Sequence, residues 1–197
     1  MPIKSFKCRD TEALFSGKRV RRWVSIERPA LRKLEQLDWS AVLDDLRAPP
    51  GNPLEALRGD RKGQHSIRVR GQWRVCFVWT ADGPKDVEIV DYHWRRFIMR
   101  TVAPVSPGEM LEEEFLKPLG LTKYRLAKEI GVPPQRIGDI VAGKRSITAD
   151  TDLRLCRYFG LSDGWWLRGQ ANYDTAIARQ TMGDALSKIS RCTLLAA

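Results

Sequence analysis

The sequence predicts an α+β protein in two parts: an antiparallel sheet with helices on one face, then an all-α unit of five helices. Three observations predict it. Apolar residues recur at three- and four-residue steps over residues 27–46. Three short runs of strand character follow between residues 66 and 93. From Pro107 onward almost every apolar pattern has helical period.

The stretch 27–46 carries Ala30, Leu31, Leu34 and Leu37, then Val42, Leu43 and Leu46, at helical spacing. The sequence APPGNP (48–53) stops it, because proline offers no N–H and crowds the preceding turn. Alternation over 66–70 puts Ser66, Arg68 and Arg70 on one face and Ile67 and Val69 on the other. Gly71-Gln72 reads as a tight connection to a second strand over 73–79, and ADGPKD (81–86) as the turn before a third over 87–93. Ile3–Phe6 is a candidate edge strand. Residues 94–106 have little periodicity and read as a linker, which sets the expected units at 1–93 and 107–197. Met99 is either an ordinary linker methionine or the start of a formerly separate reading frame.

In the second unit, Pro107 suits a first helical turn and Glu109 the positive end of its dipole. PGEMLEEEFL (107–116) places Met110, Leu111, Phe115 and Leu116 on adjoining faces. Thr122 caps KYRLAKEIG, which ends at Gly131, and Val132-Pro133-Pro134 leads into QRIGDIVAG, which ends at Gly143. Thr148–Phe159 forms another amphipathic helix, stopped by Gly160. Ser162-Asp163 is expected to cap a last helix containing Trp165, Trp166 and Leu167.

The formal charge of +10 over 197 residues points to a polyanionic partner. Residues 1–98 hold 20 Lys/Arg against 13 Asp/Glu, so most of the excess lies in the first unit. No apolar run approaches the roughly 20 residues of a membrane span, and MPIKSFKCRDTEALF has no apolar leader core. The expectation is a soluble, cytoplasmic protein with no membrane partner. Cys8, Cys76, Cys156 and Cys192 form no C-x-x-C pair and have no histidine at ligand spacing, so neither a metal site nor a cofactor is expected. The cysteines read as small buried apolar residues plus a near-terminal thiol.

Residues 122–143 have the spacing of a helix-turn-helix. Leu126 and Ile130 face inward from the first helix, Ile137 and Ile140 from the second, and Ala127 is small where the two approach. The exposed start of the second helix offers Gln135, Arg136 and Asp139 to base edges: glutamine can read adenine, arginine guanine or phosphate. Lys123, Tyr124, Lys144, Arg145 and Ser146 flank the motif and suit phosphate contacts. A small helical bundle with no DNA role is the alternative.

In the first unit Arg58, Arg61, Lys62, Arg68, Arg70 and Arg74 accompany Tyr92 and His93. Cleavage of RNA through its 2′-hydroxyl needs a base, an acid and cations around the crowded phosphate. Arg58, Lys62, Arg68 and Arg74 can supply the cations, and His93 or Asp91 the proton transfer. Tyr92 can stack on a base. A cationic sheet that only binds RNA satisfies the same residues, and His65 reads as structural.

Residues 105–169 resemble the Xre/Cro-type helix-turn-helix family and, within it, the HigA antidote branch. The resemblance runs through LKPLGLTKYRLAKEIGVPPQRIGDIVAGKRSITADTDLRLCRYFGLSDGWWL, and NYDTAIARQTMGDAL resembles that family's last helix. It implies an antitoxin that represses its own operon as a dimer. Residues 1–93 resemble HigB toxins of the RelE superfamily, particularly the GraT-like branch, through IKSFKCRDTEALF, PPGNPLEALRGDRKGQHSIRVRGQWRVCFVW and VEIVDYH. That resemblance implies a ribosome-dependent endoribonuclease that cuts mRNA in the ribosomal A site, with Asp91, Tyr92, His93, Arg58 and Arg74 as functional residues. Some HigB toxins have a catalytic histidine shortly before the Gly-Asp. Here that region offers Glu55, which either shifts the larger role to His93 or weakens the toxin.

The order toxin then antitoxin is kept in one chain. The implied protein is a fusion with three partners: operator DNA, the ribosome with its mRNA if the toxin half is active, and a second copy bound through the C-terminal unit. Tethering would mask the toxin. The alternative is a helix-turn-helix regulator whose N-terminal half is a catalytically inactive nucleic-acid- or partner-binding module.

Overall fold

Four antiparallel strands in the order β1-β2-β3-β4 form the sheet of the computed structural model, which describes residues 2–90 and 103–190. The strands are β1 (Glu55–Ala56), β2 (His65–Arg70), β3 (Trp73–Thr80) and β4 (Gly83–Val90). Ile67 lies opposite Val75, and Val75 opposite Ile89. Directly opposed residues share a face, so these three form one buried layer. The other face carries Ser66, Cys76 and Glu88 in one row and Arg68 and Arg74 in the next. The expected alternation of β2 therefore holds from Ser66 to Arg68, but a register shift between Arg68 and Arg70 sets Arg70 opposite Trp73, out of the expected row with Ser66 and Arg68.

Three details differ from the sequence reading. β4 begins at Gly83 rather than Val87, because two residues suffice for the hairpin and Thr80 Oγ1 closes it on Gly83 O at 2.7 Å. β1 is two residues long, too short to leave a pattern. The expected edge strand at 3–6 is reduced to a single parallel bridge between Phe6 and Val87, flanked by Lys4 N to Pro84 O and Val87 N to Ser5 O. The expected continuation of the last strand through Asp91–His93 and the linker up to Val102 lie outside the described residues, as does Cys192.

Helices α1 (Arg9–Phe15) and α2 (Glu27–Trp39) cover the buried face of the sheet with Leu14, Ala30, Leu31, Leu34 and Leu37. The helix expected over 27–46 stops at Trp39. Ser40 Oγ bonds Gln36 O, and the Asp45 carboxylate accepts the N–H groups of Ala41 and Val42. A 3₁₀ turn, Leu43–Arg47, resumes the path and keeps Leu46 in the same core. The apolar spacing survived the break because both pieces face one core.

The second half has the five expected helices. The first is composite: α3 (Pro107–Met110), a π-helical stretch (Leu111–Leu116) and α4 (Lys117–Leu119) run on without a turn. Lys117 N bonds Glu112 O, five residues back. Pro118 follows, with no N–H to give and a ring that crowds the carbonyl four residues earlier, and the wider turn relieves both. Then come α5 (Lys123–Glu129), α6 (Pro134–Val141), α7 (Ala149–Phe159) and α8 (Trp165–Ser187). Leu126, Ala127, Ile130, Ile137 and Ile140 are buried as expected. A Cβ on Gly108 would lie 2.1 Å from Ile140 O, so α3 sits directly against α6. Thr122 caps α5 through Arg125 N at 3.1 Å. The expected Ser162-Asp163 cap of α8 is replaced by buried Asp152, whose carboxylate accepts from Gly164, Trp166 and Leu167 N–H groups. A fully enclosed carboxylate there meets the unpaired donors and the positive end of the helix at once.

The two halves are packed on each other through α2. Trp39 meets Trp165 edge-on at 5.0 Å, and a Cβ on Gly169 would fall 2.7 Å from the Trp39 ring. Arg168 Nε donates to Trp39 O at 2.5 Å, and Asn172 Nδ2 to Asp38 at 2.9 Å. Ser162 gives both its N–H and its hydroxyl to Asp45. Glu114 accepts from Lys33 Nζ at 2.5 Å and Arg32 Nε at 2.7 Å, and Glu109 accepts from Arg28 and Arg32. The end of the expected linker is fixed as well: Ala103 O accepts from Arg28, Val105 is buried, and Ser106 caps α3.

Candidate nucleic-acid interface

The face of the sheet turned away from the helices is built by strand register. Arg74 on β3 lies opposite Arg68 on β2, and Ser66 opposite Glu55. The Arg74 guanidinium is held by an ion pair with Glu55 and by Ser66 Oγ at 3.1 Å. Arg68 is exposed beside it. One row along, Glu88 takes Arg61 and Lys7. Arg58 and Lys62 are exposed on either side of the short turn Gly59–Arg61, next to β1. The face therefore gathers arginines and lysines around two glutamates, which suits it to an anionic backbone. Of the expected residues, Arg68 and Arg74 lie on this face and Arg58 and Lys62 are exposed at the turn before β2, while Asp91, Tyr92 and His93 lie outside the described residues. Glu55, read from the sequence as a substitute base, is the partner of Arg74.

His65 sits apart from that face. It is opposite Phe77 on the core side and stacks on it at 5.9 Å. Burial, with Arg47 nearby, lowers its pKa and favours the neutral ring. Neither buried thiol is activated, although Cys76 lies in the row of Ser66 and Glu88. Burial raises Cys76, and burial with the Asp152 carboxylate pushes Cys156 up to about 12. Among the described residues no group of three or more His, Cys, Asp or Glu could hold a metal ion.

The second surface is the helix-turn-helix. Gln135, the second residue of α6, and Asp139, one turn further on, are joined through Nε2 and Oδ1 at 2.8 Å. Arg136 is drawn to Asp150 on α7, an acid the sequence did not mark as part of the site. Tyr124 is 67% exposed at the start of α5, and its neighbour Lys123 meets Glu112 at 3.5 Å. Lys144 and Arg145 are exposed after α6. The motif thus presents Tyr124, Lys144 and Arg145 outward, while Gln135 and Asp139 engage each other, Arg136 engages Asp150 and Lys123 engages Glu112.

The hydrogen bonds and ion pairs that join the halves fall, among the described residues, on 28–45 of the first half. Those residues form the helical layer. The arginine face is on the opposite side of the sheet. This contact was missed from the sequence, although its signal was present: Arg28, Arg32 and Lys33 on one helix, four glutamates over 109–114 on another. No helix of the described residues is long and apolar enough to cross a membrane.

Comparison with known proteins falls along the same division. A family model described as the RelE-like toxin of the type II toxin–antitoxin system HigB matches residues 5–93, and a helix-turn-helix model matches residues 113–166. The chain is 53% identical over 76 residues to virulence-associated protein I of Dichelobacter nodosus, covering 39% of this chain and 70% of that protein. It is 52% identical over 59 residues to toxin HigB-1 of Vibrio cholerae, covering 30% of this chain and 61% of that one. Antitoxin HigA-1 of the same organism is 37% identical over 71 residues, 36% of this chain and 67% of that one. Among solved structures, Pseudomonas aeruginosa antitoxin HigA with the higBA promoter shares 35% identity over 44% of this chain and 96% of its own, at a TM-score of 0.43. A toxin match and an antitoxin match thus follow one another along a single polypeptide, and the chain belongs to the HigB–HigA toxin–antitoxin family with both kinds of member fused.

Proposed function

We propose that this protein is a self-neutralised toxin–antitoxin fusion. Its C-terminal half binds operator DNA as a dimer and represses its own operon, and its N-terminal half is a ribosome-dependent mRNA endonuclease held inactive by the C-terminal half. The domain plan is 1–93, 94–106 and 107–197. The observation that carries the reading is the contact between the halves: two arginines and a buried lysine on α2 are neutralised by Glu109 and Glu114 of the helix that opens the second half. An antidote that recognises a toxin needs such a charge-matched, part-buried surface.

In this reading Arg58, Lys62, Arg68 and Arg74 bind the RNA backbone, Tyr92 stacks on a base, and His93 or Asp91 moves the proton. Gln135, Arg136 and Asp139 meet base edges, with Lys123, Tyr124, Lys144 and Arg145 on phosphate. Among the described residues the antidote half meets the helical layer and none of its hydrogen bonds or ion pairs reaches the arginine face, which supports inhibition by bulk that keeps the toxin out of the ribosome rather than by coverage of the site.

The test is expression of residues 1–98 beside the full chain, with mRNA cleavage assayed on purified ribosomes. The fragment slows growth and cleaves mRNA, the full chain does neither, and His93→Gln abolishes the fragment's cleavage. A harmless fragment without cleavage favours the regulator reading, in which the first half only binds. Binding of the full chain to the DNA upstream of its own gene tests the second half independently.

A further inference from the structure

Arg136, third residue of α6, is expected at the base edges, yet its side chain is tethered. Its Nη1 lies 2.5 Å from Oδ2 of Asp150, the second residue of α7. The other oxygen of that carboxylate accepts Arg154 Nε at 2.8 Å. Arg154 in turn reaches the carbonyl oxygens of Ile130 and Gly131, at 2.8 and 3.5 Å, in the turn between the two helices of the motif. Asp150 therefore links the start of α6, the start of α7 and that turn. Its hydrogen bonds to Arg154 and Arg136 hold its carboxyl below the ordinary aspartate range, so it stays charged at any pH where DNA would be bound.

Two physical effects follow. A guanidinium presents five N–H donors in a planar fork. With Nη1 on Asp150, the guanidinium is restrained while its other donors remain available, and less freedom is lost when they meet a guanine. The aspartate also places a negative charge beside the helix that would enter the groove. It opposes phosphate wherever the fit brings no compensating base contact.

We propose that Asp150 is a positioning residue for DNA discrimination, aiming Arg136 at one base and penalising duplexes that offer no matching contact. This rests on the reading of the second half as DNA-binding. The test uses the full chain with two probes: a duplex enriched by the wild-type chain from a random-sequence library, and poly(dI-dC). Asp150→Asn frees Arg136 and removes the charge. Its binding to poly(dI-dC) tightens, with a salt slope steeper by about one. Its preference for the enriched duplex falls about tenfold, the scale of one bidentate base contact. Asp150→Glu, which keeps the charge, restores most of the preference. Arg136→Ala loses the preference, and adding Asp150→Asn to it changes the preference no further while still tightening binding to poly(dI-dC).

If Asp150→Asn weakens both probes equally, or leaves the preference intact, the inference is overturned while the DNA reading stands. If the wild-type chain enriches no duplex, the DNA reading fails and the inference with it. Should Asp150→Asn melt below the assay temperature, the other two single variants decide: preference must survive in Asp150→Glu and vanish in Arg136→Ala.

Discussion

Glu114 shows how much one side chain can carry when two elements close over it. It is 7% exposed and faces Lys33, itself 4% exposed, and Arg32. Burial pushes its carboxyl up, but Lys33 and Arg32 together outweigh that and leave it below the usual range. Removing one partner of such a pair strands the other charge, and Glu114→Ala is expected to cost about 3 kcal/mol in denaturant unfolding of the full chain. Glu35, on α2 with Lys33, is shifted in the opposite sense. Burial and then Asp38 raise it to about 7, against its bond from Trp39 Nε1 and the charge of Arg28. Between the ordinary 4.5 and about 7 the folded chain holds a proton that the unfolded chain has lost. Stability from this group is therefore full below that window and lost as pH rises through it. Asp38, also raised, adds in the same sense. Glu114 acts in a separate range, since its contribution is present above 4.5 and lost in acid as its lowered pKa is crossed. The melting temperature should fall between about pH 5 and pH 7.5, and Glu35→Gln should flatten that slope; an unchanged slope would remove Glu35 as its source. The opposite charges of the two helices were visible in the sequence, but which of them meet, and the burial that shifts Glu35 and Glu114, were not, because both depend on how the helices pack.

At the scale of elements, the sequence was strong on type and weak on ends. The apolar periods of α2, α5, α6 and α7 and the alternation of β2 are short-range patterns, and each element formed where they placed it. The ends are set by partners far along the chain. α2 stops at Trp39 with Asp45 closing the turn beyond it, and α8 is capped by Asp152 rather than by its own preceding residues. α8 contains a matched pair of glycines that tests its docking on α2. Gly169 lies against the Trp39 ring, whereas Gly183 has open space where a Cβ would go. Alanine favours an exposed helix interior by up to about 1 kcal/mol, so Gly183→Ala should raise the melting temperature slightly. Gly169→Ala should lower it by the equivalent of about 1–3 kcal/mol, because the added methyl overpacks a ring interface. Tryptophan fluorescence of the pair should change only in the second. If Gly169→Ala stabilises the chain, α8 and α2 are not held as close as 2.7 Å implies.

The whole molecule joins two recognisable units through a surface that neither unit's pattern reveals. Each half was legible because its own residues repeat a family's order; the helices of the helix-turn-helix and Arg68 on the sheet stand where the spacing put them, whereas the bulge before Arg70 left no mark in the pattern. The joint was not legible, since it depends on which helix of one half meets which helix of the other. It makes a prediction only the intact chain can test. Glu114→Lys opposes Lys33 and Arg32 directly, and in the proposed reading the full-length variant should become growth-inhibitory, as residues 1–98 are. Linkage gives the antidote an effective concentration on the order of millimolar, so a milder change such as Glu109→Gln should leave the chain harmless.

The contact on residues 28–45 is already filled by the same polypeptide. Where toxin and antidote are separate products, their amounts can drift apart, and a surplus of either is information. Here every copy of one is a copy of the other, at a ratio fixed by translation. In the proposed reading, operator occupancy then counts molecules and cannot sense imbalance between the partners. Selective loss of the antidote requires damage to the chain itself, and toxin release becomes an event of proteolysis rather than of gene dosage.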